Sequence, residues 1–387
     1  MDYEKEYREY YEKSMEYKAL YLKEELTKEA KELLPGLGGE FISEKEYEQI
    51  IVPFWEKYGR KPDKLWYDYF CSGERIIDPR FVPSYFYYSE ILPYVNNLQF
   101  WHAAADKCIF DITLPDIKQP ETVCKCTAGF YYDANMNMIS RKEAVNICLS
   151  HKGQMVIKPS IGSGFSKNIY CIDPDETSEK EMEEYFEKLG SYFIVQSRIE
   201  QHLELAKLNP STVNTIRVNS LMTDEGVYIA SMHIRVGDPQ SKIVHQGSSG
   251  WHSSIEEDGT LSEKLVTHKS VFYKNRFGEE SIREVMTWGE LPDYASAKSG
   301  YKIPAIDKVC EAVCKAHKRL PHFRFVGWDF TVDTQGEPVF IEFNLAPSHL
   351  SCQLIVRKPL FGDKTEEILE DYFIHKTLKK NDLGRML

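Results

Sequence analysis

The sequence predicts an α+β fold, and three observations carry the prediction. Alternating apolar runs (TVCKCTAGFYY, QMVIKPS, NIYCI, YFIVQSRI, TIRVNSLM, GVYIASMHIRV) recur from residue 122 to 236, and a last pair occupies 326–344. That is the period-2 pattern of half-buried strands. Three stretches between them, RKEAVNICLSH, SEKEMEEYFEKLG and AIDKVCEAVCKAHKRL, have helical spacing instead. Strands that mostly follow one another directly, with helices interspersed, imply antiparallel sheets in an α+β architecture.

Ahead of these elements, residues 3–34 read as one long helix. Tyr3, Tyr7, Tyr10, Tyr17 and Tyr21 recur at helical spacing, Glu and Lys fill the other faces, and Pro35-Gly36 closes it. A tyrosine stripe of this kind is a packing face, docking on the body or on a second subunit, which makes a homodimer possible. Residues 36–104 are rich in aromatics and prolines with short helical and extended pieces (FWEKYGRKPDKLWYDYF, PRFVPSYFYYSEILPYVNNL) and read as a separate N-terminal lobe.

Composition bounds the function. A chain of 387 residues with 42% apolar and 28% charged content suits a soluble protein of two or three domains. No apolar run reaches the length of a membrane span, and MDYEKEYREYYEKSMEYK is too charged for a secretory leader. Nine cysteines without zinc-like spacing suit reduced thiols in the cytoplasm. A net charge of −12 argues against nucleic acid, which demands a basic footprint. Cations should therefore matter locally, wherever an acidic chain has to hold an anion.

The stretch VGWDFTVDTQGEPVFIEFN concentrates the candidate chemistry. Pairing Asp333 with Pro338 across a Thr334–Glu337 loop sets Val332 against Val339, Phe330 against Ile341 and Trp328 against Phe343. The same register places Asp329 opposite Glu342 and Gly327 opposite Asn344. Two facing carboxylates repel, so a positive charge is expected between them. One reading is a hairpin whose second face is simply solvated. The other is a divalent-cation site: oxygen donors without Cys or His suit Mg2+, whose shell is usually completed by water and phosphate oxygens.

The second reading calls for a phosphate cradle upstream. In QMVIKPSIGSGFSKNIYCI a strand ends at Lys158-Pro159, and a flexible loop containing Gly162, Ser163 and Gly164 follows. Its amides could converge on an anion, although a plain hairpin turn reads equally well and no P-loop pattern is present. Asp106-Lys107 alone is a helix cap and a solvated lysine. In NTIRVNSLM, Thr215, Arg217 and Asn219 share a strand face, and Arg235 follows on the next strand beside His233. Two arginines on adjacent strands, with Asn214 close by, make a candidate anion clamp.

The order of these features is more specific than any one of them. Asp-Lys-x-x-Phe, a strand with Lys-Pro and a Ser-Gly loop, a polar hinge, Asn-Thr-x-Arg, then Asp…Glu-x-Asn resembles the ATP-grasp superfamily. NPSTVNTIRV, GWDF, IEFN and SCQLIVRKPLFGD are similar to its sugar-transfer-associated branch. The resemblance runs over roughly residues 75–370. It implies two α+β subdomains gripping ATP between antiparallel sheets: 105–200 as the small subdomain with a glycine flap, 201–387 as the large one with the metal site. Lys107 and Lys158 then reach the nucleotide phosphates, Ser163 and Gly164 belong to the flap, and Gln196 to Glu204 form the adenine and ribose hinge. Arg217 and Arg235 sit at the transferred phosphoryl group, and Asp329, Glu342 and Asn344 hold Mg2+, with Glu342 bridging two ions. Related sequences often have paired glycines near 250 where this one has Gly250-Trp251, a departure that bears on the acceptor pocket.

The implied reaction activates a carboxylate as an acyl phosphate and joins it to an amine. A sugar acid or nucleotide-sugar and an amino acid are candidate substrates, in cell-surface polysaccharide or sugar-precursor synthesis. A kinase of a sugar or small alcohol and an ATP-binding scaffold for a glycosyltransferase are the alternatives.

Overall fold

All but one of the alternating runs each become a single strand in the computed structural model, and the strands gather into two antiparallel sheets. The structure describes residues 13, 20–28, 30–32, 34, 38–73, 75–161, 168–237, 250–274, 280–295, 300–349 and 351–375, with the backbone alone at 268–274, 280–288, 294 and 351. Most of the tyrosine stripe (Tyr3, Tyr7, Tyr10, Tyr17) and the glycine loop with Ser163 and Gly164 lie outside these residues.

The smaller sheet contains β1 (Thr122–Thr127), β2 (Phe130–Asp133), β3 (Met138–Ile139), β4 (Met155–Pro159), β5 (Tyr170–Ile172) and β6 (Tyr192–Ser197) in the order β3-β2-β1-β6-β4-β5. The run TVCKCTAGFYY is therefore a hairpin rather than one strand. Ala128 and Gly129 both take positive φ, 52° and 83°, as a two-residue primed turn requires. Helices Arg141–Ser150 and Glu179–Leu189 open with capping boxes, Ser140 with Glu143 and Ser178 with Glu181. They bury Ala144, Val145, Cys148, Met182 and Phe186 against one face of this sheet.

The larger sheet contains β7 (Thr215–Thr223), β8 (Gly226–Val236), β9 (Trp251–Ser254), β10 (Lys264–Lys274), β11 (Glu280–Glu290), β12 (Phe325–Val332) and β13 (Pro338–Asn344), in the order β11-β10-β9-β8-β7-β12-β13. Its two faces differ in chemistry. Ile216, Val218, Met232, Ile234, Trp328, Phe330 and Phe343 line one face, under helix Ile306–His317, which turns Ile306, Val309, Val313 and Ala316 inward. Arg217, Asn219, His233, His252, Ser254 and Asp329 belong to the other face and are buried despite their polarity.

The β12–β13 register agrees with the expectation at one end only. Gly327 pairs with Asn344, Trp328 with Phe343 and Asp329 with Glu342, but Phe330 then pairs with Phe340 rather than Ile341. A β-bulge leaves Ile341 as the extra residue, which brings Phe340 and Phe343 onto the same apolar face. Phe340 is 1% exposed, and Phe110 packs on both rings at centroid distances of 5.3 and 4.7 Å.

The aromatic N-terminal segment shares its core with the chain's other end. Trp55, Trp66, Phe70, Phe81 and Tyr87 pack with Phe361, Ile368 and Leu369 and cover Leu221, Ala230 and Phe325 of the large sheet. Gln353 clips Val82 through both its backbone groups, at 2.7 and 2.9 Å. Asn96 donates to the carbonyls of Phe325 and Leu345 and accepts from the Phe325 amide. In the described part of the first helix, Leu26, Ala30 and Leu34 pack on this core, while Tyr21 is 43% exposed. The packing stripe there is aliphatic.

Candidate functional site

The site forms where the polar face of the large sheet meets the small sheet. Cross-strand register builds it row by row: Glu342, Asp329, Arg217, His233 and Ser254 are successive partners across β13, β12, β7, β8 and β9. Directly paired residues share a face, so these five side chains form one line. Thr215, Arg235 and His252 form the next.

The charge expected between the two acids comes partly from the protein. Arg217 binds Asp329 bidentately, Nε to Oδ1 at 2.5 Å and a terminal nitrogen to Oδ2 at 2.9 Å, the strong fork geometry of guanidinium with carboxylate. Arg235 approaches the same carboxylate at 3.6 Å, and the Asn344 side-chain amide donates to Asp329 Oδ2 at 3.5 Å. Burial opposes the charge on Arg217, but Asp329 outweighs it and holds the guanidinium above its ordinary pKa.

Across the cleft, Lys107 contacts Glu342 with Nζ 3.1 Å from Oε2. Desolvation works against the Glu342 carboxylate. Lys107, Lys158 and Arg217 together overcome it and keep the group below the usual carboxylate range. Lys158, 8% exposed on β4, shows the opposite balance: burial first, and then Lys107, push its ammonium from 10.5 down to about 8, against the pull of Glu342.

The fit of a hard cation can be judged from the donor set. Asp329, Glu342 and Asn344 offer two carboxylates and an amide on adjacent strands, oxygen ligands of the type that Mg2+ takes. A carboxylate has roughly four acceptor sites, so the Arg217 fork leaves Asp329 with capacity to spare. Among the described residues no group of three or more His, Cys, Asp and Glu could hold a metal by itself. An ion here would thus depend on Asn344 and on oxygens brought by water or ligand.

Not every predicted residue joins this cluster. Asn214 is fully buried and donates to the carbonyls of Leu205 and Asn209 and to the Gln201 side chain, so it braces the loop behind the hinge. Gln196 is buried, and register puts it on the same small-sheet face as Val156 and Lys158. Glu204 is 42% exposed at a helix start and pairs with Lys207 at 2.6 Å. A cavity of about 530 Å3 beside the hinge is lined by His151, Gln154, Ser197, Ile199, Glu200 and Val213, and not by Glu204, Lys158 or Glu342. It is therefore separate from the charged cluster. His252 and Ser254, which the sequence reading did not single out, extend the polar face; their rank became visible only with the register of β8 and β9.

The model of the sugar-transfer associated ATP-grasp family matches residues 89–368, well over half of the chain. The chain belongs to that family. No curated protein sequence matches this family member. Among solved structures it is similar to an L-amino acid ligase from Bacillus licheniformis (12% identity, TM-score 0.37, covering 70% of this chain and 48% of that one). It is also similar to the VanG D-Ala:D-Ser ligase from Enterococcus faecalis (15%, 0.39, 70% and 62%). A third is the ATP-grasp ligase PsnB complexed with a phosphomimetic variant of its minimal precursor, Mg and ADP (12%, 0.36, 72% and 61%). This ATP-grasp chain spans about half the length of the first of these. At such scores the structural likeness carries no argument of its own, and membership rests on the family model. No helix among the described residues is long and apolar enough to cross a membrane.

Proposed function

We propose that this ATP-grasp protein is an ATP- and Mg2+-dependent ligase that activates a carboxylate as an acyl phosphate and joins it to an amine. Its work would lie in cell-surface polysaccharide or sugar-precursor synthesis. The observation that carries the reading is that Glu342, beside Asp329 on the large sheet, is faced by Lys107 from the helical turn at 107–109 and by Lys158 from the small sheet. Oppositely charged walls of this kind suit a metal–polyphosphate complex, in which each charge finds its complement.

In this reading Asp329, Glu342 and Asn344 hold the metal, Lys107 and Lys158 the phosphates, and the hinge Gln196–Glu204 the base and ribose. Bound magnesium ions would supply charge neutralisation at the transferring phosphoryl group. Arg217, fixed by Asp329, and Arg235 would orient the substrate carboxylate whose oxygen attacks the γ-phosphorus as ADP leaves. An amine then attacks the acyl carbon, phosphate departs and the amine loses a proton. The chemistry requires positioning and charge compensation from the protein rather than a nucleophilic side chain.

The test is ADP release from Mg-ATP across a panel of sugar acids and amino acids, with hydroxylamine present. A hydroxamate formed with ADP, and abolished in Glu342→Gln, is the expected result. ADP with a stable phosphorylated product and no hydroxamate would replace the ligase by a kinase. Tight ATP binding with no turnover across the panel would point to the scaffold.

A further inference from the structure

Strand β1 carries a lysine in a place that packing alone would fill with an apolar side chain. Lys125 is fully buried, and its Nζ lies 2.5 Å from Oδ2 of Asp111, a carboxylate 36% exposed, and 3.5 Å from Met136 Sδ. Buried ion pairs are weak sources of stability, and apolar residues of similar volume often replace them without loss. A role beyond folding is then the question to ask of the pair.

Asp111 belongs to the short helical segment that begins at Lys107. The Lys107 amide donates to the Ser160 carbonyl at 3.0 Å, just past the end of β4. The Cys108 thiol lies 3.4 Å from the Phe193 carbonyl on β6. Phe110 packs against Phe343 of the large sheet at 4.7 Å, while Asp111 returns to β1 through Lys125. One segment of two turns thus touches both sheets, and its charged tie to the small one is the contact of half-exposed Asp111 with buried Lys125. Register places Lys125 and Lys158 on the same face of the small sheet, with Ile194 between them.

We propose that Lys125 and Asp111 form a positioning pair that fixes the Lys107 segment relative to Lys158, and so sets the spacing of the two ammonium groups that receive a polyphosphate. The inference rests on the reading of Lys107 and Lys158 as nucleotide-phosphate ligands. Lys125 itself touches no ligand. An apolar pair would keep the volume but lose the directional contact that sets the segment's angle.

The experiment is calorimetric titration of the full chain with ADP plus Mg2+ and, separately, with adenosine, alongside thermal unfolding. Three variants are compared: Lys125→Met, Asp111→Asn and the double variant Lys125→Met/Asp111→Leu. The double variant keeps a folded protein in hand if a single change leaves a buried charge unpaired. The expected result is a double variant that unfolds close to wild type, binds ADP about tenfold more weakly, the loss of one charge-assisted phosphate contact, and binds adenosine unchanged. Unaltered ADP affinity in the folded double variant, or an equal loss for adenosine, would overturn the positioning role. A wild-type chain that binds neither compound would instead remove the nucleotide reading and this inference with it.

Discussion

Lys158 gives the sharpest quantitative test of the site. Its ammonium titrates near pH 8 in the folded chain against an ordinary 10.5, because it is buried and faces Lys107, with Glu342 only partly compensating. At about 1.4 kcal/mol per pH unit, that gap means the folded state holds this proton about 3 kcal/mol less favourably than the unfolded chain does. The sign follows from proton binding. Below pH 8 both states carry the proton and the penalty is present in full. Between pH 8 and 10.5 the unfolded chain binds more protons than the native one, so stability rises with pH. Above 10.5 both states are neutral and the penalty is gone.

Lys158→Met removes the titration while keeping the length of the side chain. Urea unfolding of both proteins, without metal or nucleotide, should show the variant's advantage over wild type shrinking by about 3 kcal/mol from pH 8 to pH 10.5. Taking the difference cancels other groups that titrate in this range. A second arm uses the ligand: at pH 8, binding a nucleotide polyphosphate should draw about half a proton onto Lys158, measurable by calorimetry in buffers of different ionisation enthalpy. A stability difference that stays flat across the window would refute the desolvated, lysine-flanked environment inferred for this side chain.

Two further outcomes concern the scaffold. Asn96→Ala would leave the Phe325 amide and the Phe325 and Leu345 carbonyls without their buried partner. It should cost about 2–4 kcal/mol, seen as a lower urea midpoint, and a loss under about 0.5 kcal/mol would show that the N-terminal segment is not clamped there. Ala128→Gly should stabilise the chain by about 0.5–1 kcal/mol, since a non-glycine residue is held at a φ of 52°. An unchanged or lower melting temperature would contradict the primed turn.

The sequence made the acid-bearing end of the hairpin legible because large apolar partners on one face force the acids together on the other. Trp328 against Phe343 fixes Asp329 against Glu342, and the structure has this pairing. The bulge one step further on was not legible. Val339, Phe340 and Ile341 are all apolar, so alternation is satisfied equally with or without an extra residue, and the packing of Phe110 on Phe340 comes from a distant segment. The same limit hid the Val82–Gln353 clip, which joins residues 271 positions apart. Strands β9 to β11 escaped because residues 251–290 hold no clean period. Arg217 was recognised as a cation meant for an anion. Its first anion, Asp329, could be identified only after β7 was seen to lie beside β12.

That pairing changes how the site's electrostatics should be understood. Asp329 is matched by Arg217 and approached by Arg235, while Glu342 is matched by Lys107. The two acids are therefore not an empty negative hole waiting for a cation. A divalent ion arriving alone would meet carboxylates already neutralised, and a polyphosphate arriving alone would meet Glu342 among the lysines it seeks. In the proposed function the two together would exchange partners: the lysines would turn to phosphate as the acids turn to metal, and no charge would be left buried without its complement. On the proposed function, a cluster balanced in this way would favour the metal–polyphosphate complex over either component, a selectivity that would follow from the strand register and not from any single residue.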